Sequence, residues 1–290
     1  MKKSILFIVN PISGVGRQKV IEKLIDRYLD KKKYEPSIAY TRARAHAIAL
    51  ASEAAQNDFD VVVAVGGDGS VNETGKGLVG TNTAMAILPT GSGNGLARHL
   101  GIPMKLEKAM QVINEGRIMS IDTVKMNNER FFGMAGIGFD AHIGWEFARF
   151  GKRGFSSYVK VFLREYPGYR AQKYELTLDG KKIEREALLI SFANGSQYGN
   201  NAAIAPNADI GDGLMDVCIL RDFHISKVAG LTWRLFTKKM HNSRYLETLQ
   251  AKEVMVKQTA ETAHIDGEPV LVGREIKIKV EPLSLKVVVK

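Results

Sequence analysis

Cysteine is nearly absent from these 290 residues: Cys218 stands alone, which excludes a disulfide within the chain and suits a reducing, cytoplasmic setting. Long apolar runs are missing as well. No stretch approaches the ~18 continuous apolar residues that a membrane-spanning helix requires. The opening MKKSILFIVN has two lysines and a short apolar run. It leads straight into Asn10-Pro11 with no small-residue cleavage site, so it reads as a first buried strand rather than a signal peptide. The six histidines show neither a His-Glu-x-x-His pattern nor paired metal spacing, which argues against zinc. Neither the Gly-x-x-x-x-Gly-Lys-Ser/Thr phosphate loop nor a Gly-x-Gly-x-x-Gly after a strand occurs, so two common nucleotide fingerprints are excluded. There is no internal repeat, no low-complexity linker and no long charge run.

What is present is a globular balance, 45% hydrophobic and 25% charged residues, enough for one large or two ordinary domains. The net charge of +10 points to an anionic partner: nucleotide, nucleic acid or an acidic membrane surface. Nucleic acid rests on charge alone and ranks last. Basic residues thicken between Arg149 and Arg170, where aromatics interleave with them. That stretch fits a peripheral contact with an anionic lipid layer, although lysine and arginine also cover ordinary amphipathic helices. Trp145, Phe147, Phe150 and Phe155 in this region fit either a lipid entrance or a packed core. Assembly as a homodimer stays open.

The first 120 residues alternate between apolar strand-like runs (4–10, 35–41, 60–65 and 85–91) and helical periodicity (16–32, 43–57, 71–80 and 104–116). This rhythm predicts a parallel Rossmann-like α/β sheet whose ligands bind beyond the carboxyl ends of the strands. From residue 122 strand-like pieces follow one another, with Asp-Gly and Asn-Asn turns and helical inserts near 140–166 and 225–240. A mainly antiparallel β domain over 122–283 is expected, with a tail at 284–290 returning to domain 1–121 and a cleft between the halves.

Three glycine-rich loops each follow a predicted strand: Asn10 to Gly16, Gly66 to Ser70, and Leu88 to Leu100. In a parallel sheet such loops emerge at one edge, so they should converge. Glycine leaves peptide amides bare, and a loop that runs into a helix N-terminus is a phosphate cradle. Asp68 would repel a bare phosphate, which makes sense if a magnesium ion accompanies the ligand. The plainer alternative is a tight turn in which Asp68 only caps a helix. His46 and His99 lie near these loops and read as ordinary helix histidines.

Together these motifs resemble the diacylglycerol kinase and sphingosine kinase catalytic-domain family. They are Asn10-Pro11-x-Ser13-Gly14, Gly66-Gly67-Asp68-Gly69-Ser70 with Asn72-Glu73, and Leu88-Pro89-x-Gly91-Ser92-Gly93-Asn94. The second half adds Ile121-Asp122, Gly136-Ile137-Gly138-Phe139-Asp140, Ala205-Pro206-x-Ala208, Asp212-Gly213-Leu214-Met215-Asp216-Val217 and Ile265-Asp266-Gly267-Glu268-Pro269. The resemblance covers nearly the whole chain. It implies ATP and Mg2+ as cofactors, a lipid alcohol of diacylglycerol-like or sphingoid-like type as acceptor, and a cytoplasmic protein peripheral at the membrane. By the same resemblance Asn10, Ser13, Gly14, Thr41, Gly66, Gly67, Asp68, Gly69, Ser70, Gly93 and Asn94 hold the nucleotide. Asp68, Asp122 and Glu268 are the catalytic candidates; Asp68, Asp212 and Asp216 are the metal candidates. Gly211 stands where many bacterial relatives carry the first aspartate of a pair, which puts a structural magnesium in doubt. An NAD kinase-like enzyme and a catalytically silent nucleotide- or lipid-binding regulator are the alternatives.

Overall fold

The structure, a computed structural model, describes residues 2–11, 18–149 and 155–290, the side chains of 18, 19, 147–149 and 155–159 excepted. These form two compact units, residues 1–122 with 283–290 and residues 123–282.

In the first unit β1 (Lys3–Val9), α1 (Gln18–Tyr28), β2 (Tyr34–Tyr40), α2 (His46–Gln56), β3 (Val61–Gly66), α3 (Asp68–Leu78), β4 (Ala84–Pro89), α4 (Gly95–His99) and α5 (Leu106–Glu115) alternate. The strands pair in parallel in the order β2-β1-β3-β4. Val61 to Gly66 is buried at every residue, as expected of an inner parallel strand covered on both faces. That is why its sequence is a continuous β-branched run rather than an alternation. The chain end joins this sheet beside β4, with Val287 opposite Met85 in parallel register. Helix α4 has only five residues and lies inside the third glycine-rich loop.

The second unit holds β5 (Arg117–Met126, from Thr123 on), β6 (Glu129–Phe131), β7 (Met134–Gly138), α6 (Phe139–Arg149), α7 (Phe155–Glu165), β8 (Gln172–Leu178), β9 (Lys181–Ala187), β10 (Leu189–Ala193), β11 (Met215–Leu220), α8 (Val228–Phe236), β12 (Leu246–Ala251), β13 (Glu253–Lys257), β14 (Thr262–Ile265), β15 (Glu268–Leu271) and most of β16 (Glu275–Val289). One antiparallel sheet runs β12-β11-β10-β7-β14-β15. A second layer runs β9-β8-β13-β16, with β5 on β16 and β6 on β5. Alternation explains the sandwich: Ile276, Ile278 and Val280 are buried while Glu275, Lys277 and Lys279 are exposed, so one face of the strand meets the core and the other meets water. Val124, Phe131, Tyr174, Phe192, Val217 and Ile265 share the apolar layer between the sheets. The other face of the six-stranded sheet carries a second cluster, in which Phe139, Val161, Tyr166 and Cys218 are buried and Leu231 and Leu235 of α8 pack against it. No helix among the described residues is long and apolar enough to cross a membrane.

Phe192 is fully buried in the inter-sheet layer. Phe192→Ala is expected to lower the unfolding free energy by about 3–5 kcal/mol, read as a shift in the midpoint of chemical denaturation.

Candidate functional site

The carboxyl ends of β1, β3 and β4 lie side by side, with Val9 opposite Val65 and Gly66 opposite Pro89. The loops that leave them therefore start at one edge. Asn10 N–H donates to Val65 O at 3.3 Å and Thr41 N–H to Val9 O at 3.0 Å, while Thr90 N–H reaches Gly66 O at 2.9 Å. Asn10 Nδ2 lies 3.3 Å from Ser70 Oγ as donor. The structure thus brings Asn10, Thr41, Gly66 to Ser70, Gly93 and Asn94 together. Ser13 and Gly14 lie outside the described residues.

The aspartate in the second loop does something the sequence did not disclose. Helix α3 begins at Asp68 itself, after Gly67 in extended backbone (φ −94°, ψ −166°), and Val71 N–H closes the first turn on Gly67 O at 3.0 Å. A helix starting at Val71 is expected from sequence; the Gly66-Gly67 turn is completed in fewer residues and frees Asp68 to Ser70 for the first turn. The Asp68 carboxylate reaches across to the third loop. Asn94 N–H donates to Oδ2 at 2.8 Å and Gly95 N–H to Oδ1 at 2.7 Å, so Asp68 satisfies the orphan amides at the start of α4. Asn94 adopts left-handed backbone (φ 51°, ψ 54°) and its Nδ2 donates to Gly66 O at 3.1 Å. Arg98 Nε donates to Gly93 O at 2.9 Å. The bonds between the two loops thus run from donors in the third loop to acceptors in the second.

Two glycines permit this closeness. A Cβ on Gly91 would stand 2.6 Å from Gly67 Cα, and one on Gly93 would stand 2.6 Å from Asp68 Oδ2. Both contacts are closer than real Cβ atoms tolerate. At the α3 N-terminus the first-turn amides have no acceptor within the helix, and the dipole favours an anion. Glu73, on the same helix, accepts from Ala45 N–H at 2.8 Å and Ala47 N–H at 3.3 Å and so fixes the start of α2. His46 accepts Arg42 N–H through Nδ1 at 3.0 Å, a local turn role.

The other candidates are placed as follows. Asp122 is fully buried on β5 and accepts Leu283 N–H at 2.7 Å, holding Leu283 in left-handed backbone (φ 48°). Glu268 is exposed and opens β15 directly after the Asp266-Gly267 turn. Asp212 is exposed and accepts Leu214 N–H at 2.9 Å. Asp216 is buried on β11; burial pushes its carboxyl above the ordinary range, Gln250 partly offsets this by hydrogen bonding, and the Asp212 charge adds to the rise. Among the described residues no group of three or more His, Cys, Asp or Glu side chains could hold a metal ion. Cys218 is buried, with its thiol pushed up to about 12 by desolvation, so it stays protonated and inert.

Sequence analysis missed two further carboxylates. Asp266 Oδ1 accepts Gly133 N–H at 2.9 Å and Met134 N–H at 3.0 Å, and Oδ2 accepts Phe132 N–H at 3.0 Å. Asp140 is buried, with His264 Nε2 2.9 Å from its Oδ2; Tyr198 Oη donates to that oxygen at 2.8 Å and Ser191 Oγ at 3.2 Å. A Cβ on Gly136 would stand 2.5 Å from both Asp140 Oδ2 and His264 Nε2, so that strand must be bare where the pair crosses it. The nearest signal in sequence was the His-x-Asp-Gly spacing, which puts His264 near the end of β14 and Asp266 in the turn that follows. Nothing in it names partners more than 120 positions away.

Residues 4–126 match the diacylglycerol kinase catalytic domain family and residues 133–289 the YegS C-terminal NAD kinase beta sandwich-like domain family. The chain belongs to the family that joins a diacylglycerol kinase catalytic domain to a YegS-type β-sandwich. It is 27% identical over 270 residues to a diacylglycerol kinase of Bacillus subtilis (strain 168), covering 90% of this chain and 88% of that one. It is 29% identical over 274 residues to a diacylglycerol kinase of Mycobacterium tuberculosis (strain ATCC 25618 / H37Rv), covering 90% and 87%. The crystal structure of a diacylglycerol kinase from Bacillus anthracis str. Sterne superposes with a TM-score of 0.77 at 21% identity, over 99% of this chain and 97% of that one, which establishes the fold.

The buried pair gives a pH signature. Burial alone would raise Asp140 and lower His264, but their mutual charge and hydrogen bond reverse both, leaving Asp140 below and His264 above its ordinary value. The histidine's contribution is complete below its unfolded pKa near ~6.5 and fades as pH rises through the raised folded value. The aspartate's is complete above ~3.8 and fades as pH falls through the depressed one. Thermal unfolding followed across pH should show a plateau between these limits, and Asp140→Asn should flatten both shoulders while costing about 3–5 kcal/mol.

Proposed function

We propose that the chain is an ATP-dependent lipid kinase, which transfers the terminal phosphoryl group of ATP to the hydroxyl of a diacylglycerol-like or sphingoid-like lipid at a membrane surface. The observation that carries this is the joint formed by Asp68: two glycine-rich loops held together at one sheet edge, where an 11-residue helix starts. Phosphoryl transfer asks chiefly for positioning and charge neutralisation. First-turn amides of α3 supply fixed positive ends of dipoles, with no reorganisation at the moment of reaction.

The donor set fits a nucleotide with its divalent ion. Both Asp68 oxygens accept a backbone amide and carry negative charge at the sheet edge, and magnesium is satisfied by one or two carboxylates with phosphate and water. When bound, Mg2+ would neutralise charge on the phosphates; Asp68 is the side chain we assign to it, with Asn10 and Ser70 as polar neighbours. Asp212 and Asp216 are the residues we assign to a second cation, on their resemblance to the family's metal positions alone. Of the two other catalytic candidates, exposed Glu268 is the better suited to meet an alcohol as general base. Buried Asp122, committed to the Leu283 amide, is assigned a positioning role.

The test is a kinase assay with labelled ATP and Mg2+ across diacylglycerol, monoacylglycerol, sphingoid bases, ceramide, phosphatidylglycerol and NAD. Phosphorylation of one lipid is expected, with at least a hundredfold fall in kcat for Asp68→Ala. Labelling of NAD alone, or near-normal turnover by Asp68→Ala, contradicts the proposal.

A further inference from the structure

Helix α8 is exposed in an unusual way. Leu231 and Leu235 face the second apolar cluster, yet no residue of the helix is buried. Ala229 and Trp233 are four residues apart on one side of the helix, and Ile225 lies in the 3-10 turn Ile225–Lys227 that leads into it; Trp233 is 56% exposed and Ile225 45%. An indole left in water at this level is costly unless something else covers it.

The surroundings are basic. Residues 221–245 contain six lysine and arginine residues against Asp222 alone, so this short stretch holds half of the chain's net charge of +10. Arg221 pairs with Glu247 at 3.2 Å. Among the described residues, Lys227, Arg234, Lys238, Lys239 and Arg244 pair with no carboxylate. Instead Lys239 Nζ stands 5.2 Å from the Trp233 ring centroid, Arg234 Nη1 donates to Asn242 O at 3.3 Å and Arg244 lies over the Tyr245 ring at 5.0 Å. Lys227, Arg234 and Arg244, with Ser226 and Asn242, line an open cup of ≈ 380 Å³ that has no carboxylate in its lining among the described residues. The basic stretch at Arg149–Arg170 differs where it is described: Arg164 is matched by Glu146 and Glu165.

Backbone geometry adds an independent sign. Thr237 N–H donates to Trp233 O and Lys239 N–H to Arg234 O, ending the helix with Lys238 in left-handed backbone (φ 58°). Glycine or asparagine normally takes that position. Lys238 in that position gives up local stability and adds a cation at the end of α8. The platform itself is anchored, since Tyr166 Oη donates to Phe223 O and its ring stacks on Phe223, with centroids 5.2 Å apart.

From the apolar stripe, the unmatched cations and the strained lysine, we infer that the α8 face is a docking surface for an anionic phospholipid bilayer, with Trp233 and Ile225 entering the headgroup layer and the surrounding cations meeting lipid phosphates. A second copy of the chain is the poorer occupant, because a two-fold contact sets the same positive patch against itself. The choice of a bilayer rests on the lipid-kinase proposal, but docking requires no turnover, so the two are tested separately.

The experiment measures vesicle binding without nucleotide, using phosphatidylglycerol-rich and phosphatidylcholine-only vesicles, at low and high salt. A Trp145→Phe background leaves Trp233 as the reporter. Binding to the anionic vesicles alone is expected, weakened by salt, with a blue-shifted emission quenched by brominated acyl chains. Lys238→Gly should bind about fivefold more weakly while unfolding at the same temperature or higher, which separates docking from folding. Lys227→Glu combined with Lys239→Glu should weaken binding further, and turnover on detergent-dispersed lipid should be retained. Bound protein whose Trp233 emission does not move overturns the inference, as does full competition by millimolar glycerol phosphate, which would mark a free-anion site. A dimer in sedimentation that Trp233→Ser disperses overturns it as well. Loss of kinase activity with docking intact contradicts the kinase proposal alone.

Discussion

The first unit depends on one carboxylate accepting two amides across a gap between loops. Asp68 sits at the start of α3 yet satisfies Asn94 and Gly95 at the start of α4, so two helix N-termini are fixed relative to each other by a single side chain. A charged acceptor on backbone donors is among the stronger hydrogen-bonding arrangements available. Its geometry is enforced from the other side by Asn94 on Gly66 and by glycines that leave no room for a methyl group. The same joint explains why an acidic residue belongs in a phosphate cradle. Its two oxygens build the cradle by accepting two amides, and the negative charge they carry favours a cation that arrives with the phosphates.

Much of the fold was legible because hydrophobic periodicity is local. Val61 to Val65 reads as an inner parallel strand from its unbroken β-branched run, and 275–280 reads as a half-exposed strand from strict alternation. The order β2-β1-β3-β4 places the starts of the three loops at one edge, as parallel topology requires once each loop follows a strand. The start of α3 was less legible, since Gly-Gly-Asp-Gly carries no apolar periodicity and the helix turned out to include Asp68. The five-residue α4 was hidden for the same reason.

The candidate site was legible in its members and not in their connections. Sequence named Asp68, Gly93 and Asn94 separately; that Asp68 holds Asn94 is a contact across 26 positions that only the folded chain makes. Asp140 and His264 are 124 positions apart, and their meeting over Gly136 depends on the register of β7 against β14. Asp266 was part of a quoted motif and escaped notice, because a carboxylate that accepts three backbone amides leaves no distinctive composition behind. Charge behaved likewise. The chain's net charge was plain, but its sequence drew attention to Arg149–Arg170, and only pairing distances show that Arg164 is compensated there while the α8 cations are not.

The central claim is that Asp68 joins the two loops. Amide hydrogen exchange at Asn94 and Gly95 measures this most directly, comparing the native protein with Asp68→Ala. The account predicts slow exchange at both amides that becomes fast on substitution, while the amides of β1 and β3 stay protected. Unchanged protection at Asn94 and Gly95 in Asp68→Ala would contradict it.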